Sequence, residues 1–300
     1  MNVRTARTAR QARPGTGGTG RRRTLLAGVV TLLVAMPFVW MVSLAFKPKT
    51  EVFSYPPKLL PDQPTLDNFA YVWNSTNIPG AMANSLIVAT LTVVGNCVAA
   101  TAAGYALARI DFRGSRLLFT TVLGSAMVPS IVQLIPLFLI IKGFPLAGGN
   151  DLFGQGGTGL LDSHIGLVLP MLVQPLNIYL ARQYFLDMPG ELAEAGRLDG
   201  AGELRIFWQI YLPLARPIVA TIAILSFTGA WEDFLWPLVT VSSPQMQTLP
   251  LALSSFAGSG VTQYGPLMAG TFLAIVPVLV IFVAGQRHFV QGLGAGGVKA

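Results

Sequence analysis

The sequence predicts an all-α polytopic membrane protein with six transmembrane helices, on three observations. Charged residues make up only 11% of the 300 positions and hydrophobic residues 52%, with a mean hydropathy of +0.59. A soluble domain carries about 25% charged residues, so too few ionic side chains are present to coat a water-facing surface. The uncharged text also falls into blocks able to cross a bilayer core of about 30 Å, which takes about 20 residues of helix. Finally, the Lys and Arg residues between those blocks alternate between two sides. The 32 Gly and 21 Pro show no collagen-like period, and the wealth of Leu, Val, Ile and Phe excludes a disordered chain.

The first four spans lie in stretches without a charge, 24–46, 68–108, 117–141 and 163–181. Apolar text resumes at Pro217, passes the isolated pair Glu232 and Asp233, and carries no charge from Phe234 to Gln286, so two further spans fit near 215–239 and 265–285. Basic residues test this assignment independently of hydropathy. One side collects 16 of the 20: seven Arg before residue 24, then Arg109, Arg113, Arg116, Arg182, Arg197, Arg205, Arg216, Arg287 and Lys299. The other side holds Lys47, Lys49, Lys58 and Lys142. This asymmetry puts both termini in the cytoplasm.

The net charge of +7 is therefore a topology signal, and nucleic-acid binding is not expected, since no aromatic residues interleave with the arginines of the tail. Residues 1–23 read as a disordered basic cytoplasmic tail against anionic membrane lipid, and 24–300 as one transmembrane domain. Arg21-Arg22-Arg23-Thr24-Leu25-Leu26 looks like a twin-arginine export signal. The hydrophobic block behind it is long enough to span, shows no small-x-small cleavage site and is followed by five more spans, which favours a retained anchor.

Residues 187–217 form the longest polar stretch on the inner side and hold five of the 13 acids. Asp187 is placed to cap a helix starting near Pro189, and Gly200 to stop it in a left-handed conformation, giving roughly three turns. Leu192, Ala195 and Leu198 recur at helical spacing, while Ala193, Ala195 and Gly196 keep one flank slim enough for another protein. A second short helix follows with Ile206, Phe207 and Ile210 inward, and Pro213 and Pro217 restart the chain toward the membrane.

Glu194-Ala195-Gly196, then three residues to Gly200, nine more to Ile210, and Leu212-Pro213 resemble the EAA loop of ATP-binding-cassette importer permeases. Gly196 stands where that family usually has Ala. Trp231-Glu-Asp-Phe-Leu-Trp-Pro-Leu238 resembles the fifth-span motif of carbohydrate permeases of the maltose-transport type, with Glu232 where Asn is usual. Asn84-Ser85-Leu86 and the ending Gln286–Lys299 are similar too, so the likeness covers residues 24–300.

That resemblance implies the type I importer fold and a permease subunit that moves a sugar or oligosaccharide by alternating access. It implies a second permease as heterodimeric partner, two separate ATPase subunits, and an extracellular or periplasmic solute-binding protein. It makes 188–213 a coupling loop, with Glu194, Ala195, Gly196, Asp199, Gly200, Ile210 and Pro213 at the ATPase contact. For Glu194 the alternative is an ordinary solvated helix face. A permease of the same superfamily for glycerol phosphate, polyamine or an amino acid is a second reading, and a stand-alone secondary transporter a third, although no internal inverted repeat is evident.

No Gly-Lys dipeptide occurs, so a phosphate-cradling G-x-x-x-x-G-K-[ST] loop is absent and ATP belongs to partner chains; no cofactor is expected on this one. His164 and His288 fall on opposite predicted faces and Cys97 is the single cysteine, so no zinc set exists. Acids, His and Cys do not cluster at one depth, which argues against an enzyme. Glu232 and Asp233 lie roughly fifteen residues above the inner end of the fifth span, about 22 Å at helical rise. Carboxylates there are costly against lipid and face a polar cavity. Either they bind sugar hydroxyls while Trp231 and Trp236 stack on a pyranose, or they bond neighbouring backbone or the partner permease. Pro129, Pro136, Pro170 and Pro175 fall inside spans and kink them. The outer loop from Lys47 to about Asn77, rich in Pro and aromatic residues, is placed to touch the binding protein.

Overall fold

The computed structural model describes residues 19–75, 77–258 and 262–297, with side chains from residue 22 to 284 outside those gaps. The basic tail before Thr19 and the side chains of Arg287, His288 and the remaining C-terminal motif lie outside the described residues. All regular structure among the described residues is helical.

Helix α1 (Thr19–Ala45) starts inside the basic tail, so Arg21–Arg23 form its first turns. The short α2 (Asp67–Ser75) sits on the loop that follows. Helix α3 (Ile78–Arg109) is 32 residues long; Asn77 opens it, its side chain accepting the Gly80 N–H at 3.3 Å, and Pro79 occupies the first turn, where no N–H is needed. Helices α4 (Ser115–Ala126) and α5 (Ser130–Lys142) meet at 105° around Pro129. Next, α6 (His164–Val168) runs into a tight turn, Leu169–Met171, and then into α7 (Pro175–Leu186) with a 46° bend.

The polar loop carries α8 (Glu191–Leu198), α9 (Glu203–Ile206), a π-helical turn over Phe207–Tyr211 and α10 (Leu212–Leu214). A 79° bend leads to α11 (Arg216–Trp231), then come α12 (Leu235–Thr240), α13 (Leu249–Gly258) and α14 (Tyr264–Gly297). Residues 22–45, α3 and residues 264–284 are long and apolar enough to cross a membrane, and the crossings number six if each bent pair is one span.

Two sequence expectations are corrected. The fifth span is not continuous to residue 239: α11 ends at Trp231 and α12 restarts at Leu235. The Asp233 carboxylate accepts the Trp236 N–H at 3.4 Å, competing with helical continuation across the gap. Asp187 does not cap α8. It closes α7, its N–H bonded to Gln183 O at 3.3 Å, and α8 starts only at Glu191 and runs eight residues.

Helix α3 is the central post, packed against both α7 and α11. Gly104 permits the first contact: a Cβ there would stand 2.6 Å from Ala181 Cβ and 2.8 Å from Arg182 N. Small residues let membrane helices approach this closely, where van der Waals packing replaces the hydrophobic effect. One apolar cluster, with Val72, Phe227, Trp231 and Phe256, lies at the Ile78 end of α3. Another, with Tyr105, Phe185, Ile206, Phe207 and Tyr211, lies at its Arg109 end beneath the polar loop. Helix α1 leaves Leu25, Leu26, Val29 and Leu32 exposed, as lipid or a partner subunit requires.

Candidate functional site

The polar loop is built on the aromatic cluster at the Arg109 end of α3. Tyr105 lies with ring centroids 5.7, 5.1 and 5.2 Å from Phe185, Phe207 and Tyr211. One turn along α3, Arg109 donates from Nε to Phe185 O at 2.9 Å and from its guanidinium to Met188 O, while lying 5.4 Å from the Tyr211 ring centroid. Tyr211 in turn donates its hydroxyl to Pro189 O at 3.1 Å. The carbonyls freed where α7 ends are thus taken by side chains of α3 and of the π turn, which orients α8.

Helix α8 ends in a Schellman motif. Gly200 has φ +76°, its N–H bonds to Arg197 O at 3.0 Å, and the Ala201 N–H reaches Gly196 O at 2.9 Å. This is the left-handed stop expected from the sequence. Ala193 and Gly196 do not form an outward flank, however. Both are buried, and a Cβ on Gly196 would lie 3.1 Å from Ile206 Cγ1 and from Ile210 Cδ1. The small residues bring α8 close to the chain's own second helix rather than to a partner. Opposite them Glu191, Glu194, Ala195 and Asp199 are exposed, and Leu198 is 89% exposed. Ile206 and Phe207 are buried and Ile210 half-buried, whereas Leu204, Trp208 and Pro213 face outward. Pro213 lacks the N–H that would reach back one turn, and within that stretch the Leu212 N–H pairs instead with Phe207 O.

A charged bridge ties this loop to α3. Glu203 Oε1 accepts from Arg197 Nε at 2.7 Å and Oε2 from the Tyr105 hydroxyl at 3.1 Å. The Arg197 hydrogen bond, helped by that of Tyr105 and opposed by burial, holds the Glu203 carboxyl below its ordinary range. Beside the bridge a cleft of about 1030 Å³ opens between α3 and α11, lined by Cys97, Thr101, Trp208, Arg216 and Val219 among others. Sequence reasoning missed Tyr105, Arg109, Glu203 and Tyr211 as a unit. The available signal was the Tyr105–Arg109 spacing, which puts both on one face of α3.

The other candidate residues gather elsewhere. Glu232 is exposed and Asp233 partly buried in the gap between α11 and α12. Trp231 is 3% and Trp236 6% exposed. Their indole N–H groups donate to Ala274 O at 3.0 Å and Gly166 O at 3.1 Å, and Trp231 stacks on Phe227 at 5.4 Å. In this conformation neither indole face is open to a ligand. His164 Nε2 lies 3.0 Å from Asn84 Oδ1, and Asn84 donates to Gln245 O and Gln247 O at 2.7 and 3.0 Å. No group of three metal-ligating side chains occurs among the described residues.

Residues 95–294 match the family model described as "Binding-protein-dependent transport system inner membrane component". The chain is 34% identical over 283 residues to the arabinooligosaccharides transport system permease protein AraQ of Bacillus subtilis (strain 168), covering 92% of this chain and 94% of that one. It is also 34% identical over 286 residues to the trehalose transport system permease protein SugB of Mycobacterium tuberculosis (strain CDC 1551 / Oshkosh), covering 93% and 98%. A crystal structure of a bacterial ABC transporter that imports the acidic polysaccharide alginate contains a chain of the same fold, with a TM-score of 0.75 at 23% identity and 90% and 96% coverage. The chain thus belongs to the binding-protein-dependent transport system inner membrane components, as a transport permease of the ATP-binding-cassette type and not an enzyme.

Proposed function

We propose that this chain is one of two permease subunits of an importer for a sugar or oligosaccharide, moving its cargo by alternating access. The observation that carries this reading is the preset face of α8. Glu191, Glu194, Ala195, Leu198 and Asp199 project outward from a helix whose inner side, end and angle are all fixed by this chain. An exposed Leu beside carboxylates suits a cleft on an ATPase subunit, with Leu198 as apolar anchor and Glu194 as charged rim. Two such ATPases consume the ATP, this chain binds no cofactor, and a solute-binding protein delivers cargo on the far side, where the loop 47–77 meets it. Both termini face the cytoplasm, in line with the 16-to-4 split of basic residues.

The sugar assignment rests on the named cargo of the relatives and on the resemblance of residues 231–238 to carbohydrate permeases. Glu232 and Asp233, at the break between α11 and α12, stand on the substrate path. Glu232 is the exposed carboxylate there and the one free to meet sugar hydroxyls, while Trp231 and Trp236 shape the break. The test is co-purification of the chain with its neighbouring permease and ATPase in mild detergent, followed by uptake of a panel of labelled di- and oligosaccharides into proteoliposomes. ATP-dependent accumulation of one of these sugars supports the reading. A complex without an ATPase, or one that moves only phosphorylated polyols or polyamines, contradicts it.

A further inference from the structure

A polar cluster lies far from the docking loop, in the packed centre where α3, the α6–α7 bend and α11 meet. Asn96 on α3, Asn177 on α7 and Ser226 on α11 have no solvent exposure at all. Their partners are specific. Asn96 Nδ2 donates to Met171 O at 2.6 Å, and Asn96 Oδ1 accepts the Gln174 N–H at 3.0 Å. Those two backbone groups are the ones orphaned where α6 and its tight turn give way to α7. Pro175 has no N–H to reach Met171 O one turn back, and Gln174 is extended (φ −100°, ψ 122°), as a residue before proline tends to be. At membrane depth freed backbone groups need a partner, and Asn96 supplies one to each of these two.

The splint is fastened to two more helices. Asn177 Nδ2 has three acceptors in reach: Asn96 Oδ1 at 3.1 Å, Gln174 Oε1 at 3.2 Å and Ser226 Oγ at 3.0 Å. Two hydrogens cannot serve three acceptors fully. Asn177 Oδ1 and the nearby Thr92 Oγ1, one turn before Asn96, are buried without a partner. A fully satisfied plug would leave no acceptor over, whereas the surplus acceptors and unpaired oxygens here give the amides alternative partners. Downstream, α7 leads directly through residues 187–190 into α8.

We infer that Asn96 and Asn177 are positioning residues for transport: they form a splinted joint at Met171–Pro175 about which α7 tilts, carrying the motion of the docking loop into the membrane. This rests on the reading of 188–213 as the ATPase contact, and the test separates the two. Asn96→Leu removes the splint, and adding Pro175→Ala supplies a backbone N–H that can reach Met171 O, so the double variant replaces the side-chain splint by a helical hydrogen bond at the joint. In the reconstituted complex the double variant should retain both ATPases in wild-type amount while uptake, and stimulation of ATP hydrolysis by the loaded binding protein, fall about tenfold or more. Wild-type uptake with the ATPases bound overturns the joint. If the double variant does not accumulate, Pro175→Ala alone is read on the same assays, with a several-fold loss of uptake expected and unchanged uptake again overturning the proposal. Absence of ATPases from the wild-type complex instead contradicts the docking reading.

Discussion

The Tyr105 hydroxyl donates to Glu203 across 3.1 Å, joining the middle of the polar loop to the long central helix α3. Because Glu203 also accepts from Arg197 on α8, one carboxylate links the exposed helix to the post on which α7 and α11 pack. Helix α8 is thus tied to α3 through hydrogen bonds as well as through the loop backbone.

Tyr105→Phe keeps the ring contacts with Phe185, Phe207 and Tyr211 and removes only the hydroxyl. A stability loss of about 1 kcal/mol is expected, the usual net worth of one such bond. In a double-mutant cycle with Glu203→Gln the two losses should be less than additive, measured as detergent thermal stability. Full additivity contradicts the linkage.

Arg109 holds two carbonyls where α7 gives way to the loop, those of Phe185 and Met188. Arg109→Lys offers a point charge in place of a fork and cannot serve both. The variant should expose residues 187–190 to added protease and weaken ATPase retention, while membrane abundance changes little. Arg109→Leu should be worse, since Met188 O then loses its charged donor altogether, a kind of hydrogen bond worth about 1.5–3 kcal/mol.

Gly104→Ala inserts a methyl where Ala181 Cβ and Arg182 N already stand within 3 Å of the position it would take. Overpacking of this kind costs about 1–3 kcal/mol, so the purified chain should unfold at a lower temperature. Gly124 provides the control, because a Cβ added there would meet nothing within 4 Å: Gly124→Ala should leave the midpoint unchanged or raised.

Glu203 also makes the loop sensitive to acid. Its carboxyl titrates below the ordinary 4.5, chiefly through the Arg197 hydrogen bond. A lowered folded-state value means that the contribution is complete above pH 4.5 and disappears as pH falls through the lowered value. Protease sensitivity of the loop should therefore rise only on the acid side of that window. Glu203→Gln should be more sensitive near neutrality and flatter with pH.

Much of this arrangement is legible in the sequence because it rests on local rules. Gly200 stops α8 since a left-handed residue must follow it, and the 188–213 loop stands out because polar text is scarce elsewhere. What escaped reading depends on distant partners. Asp187 has the right chemistry for an N-cap, yet it closes α7 instead, and Arg109, far earlier in the chain, takes the Met188 carbonyl that follows. Ala193 and Gly196 announce a close contact but not with which surface, and Ile206 and Ile210 occupy it. Asn96 looks like one polar residue in an apolar helix until the Pro175 break is seen beside it.

The central claim, that α8 and its Gly200 turn relay ATP-driven closure to the membrane, is tested most directly by Gly200→Val. At φ +76° a β-branched side chain is strained by about 1–2 kcal/mol, and nothing lies within 4 Å to be crowded, so the turn changes angle while the fold persists. The measurement is ATP-driven sugar uptake into proteoliposomes, normalised to the amount of this chain in the membrane. Wild-type abundance with uptake abolished is the predicted result, and wild-type abundance with normal uptake would contradict it.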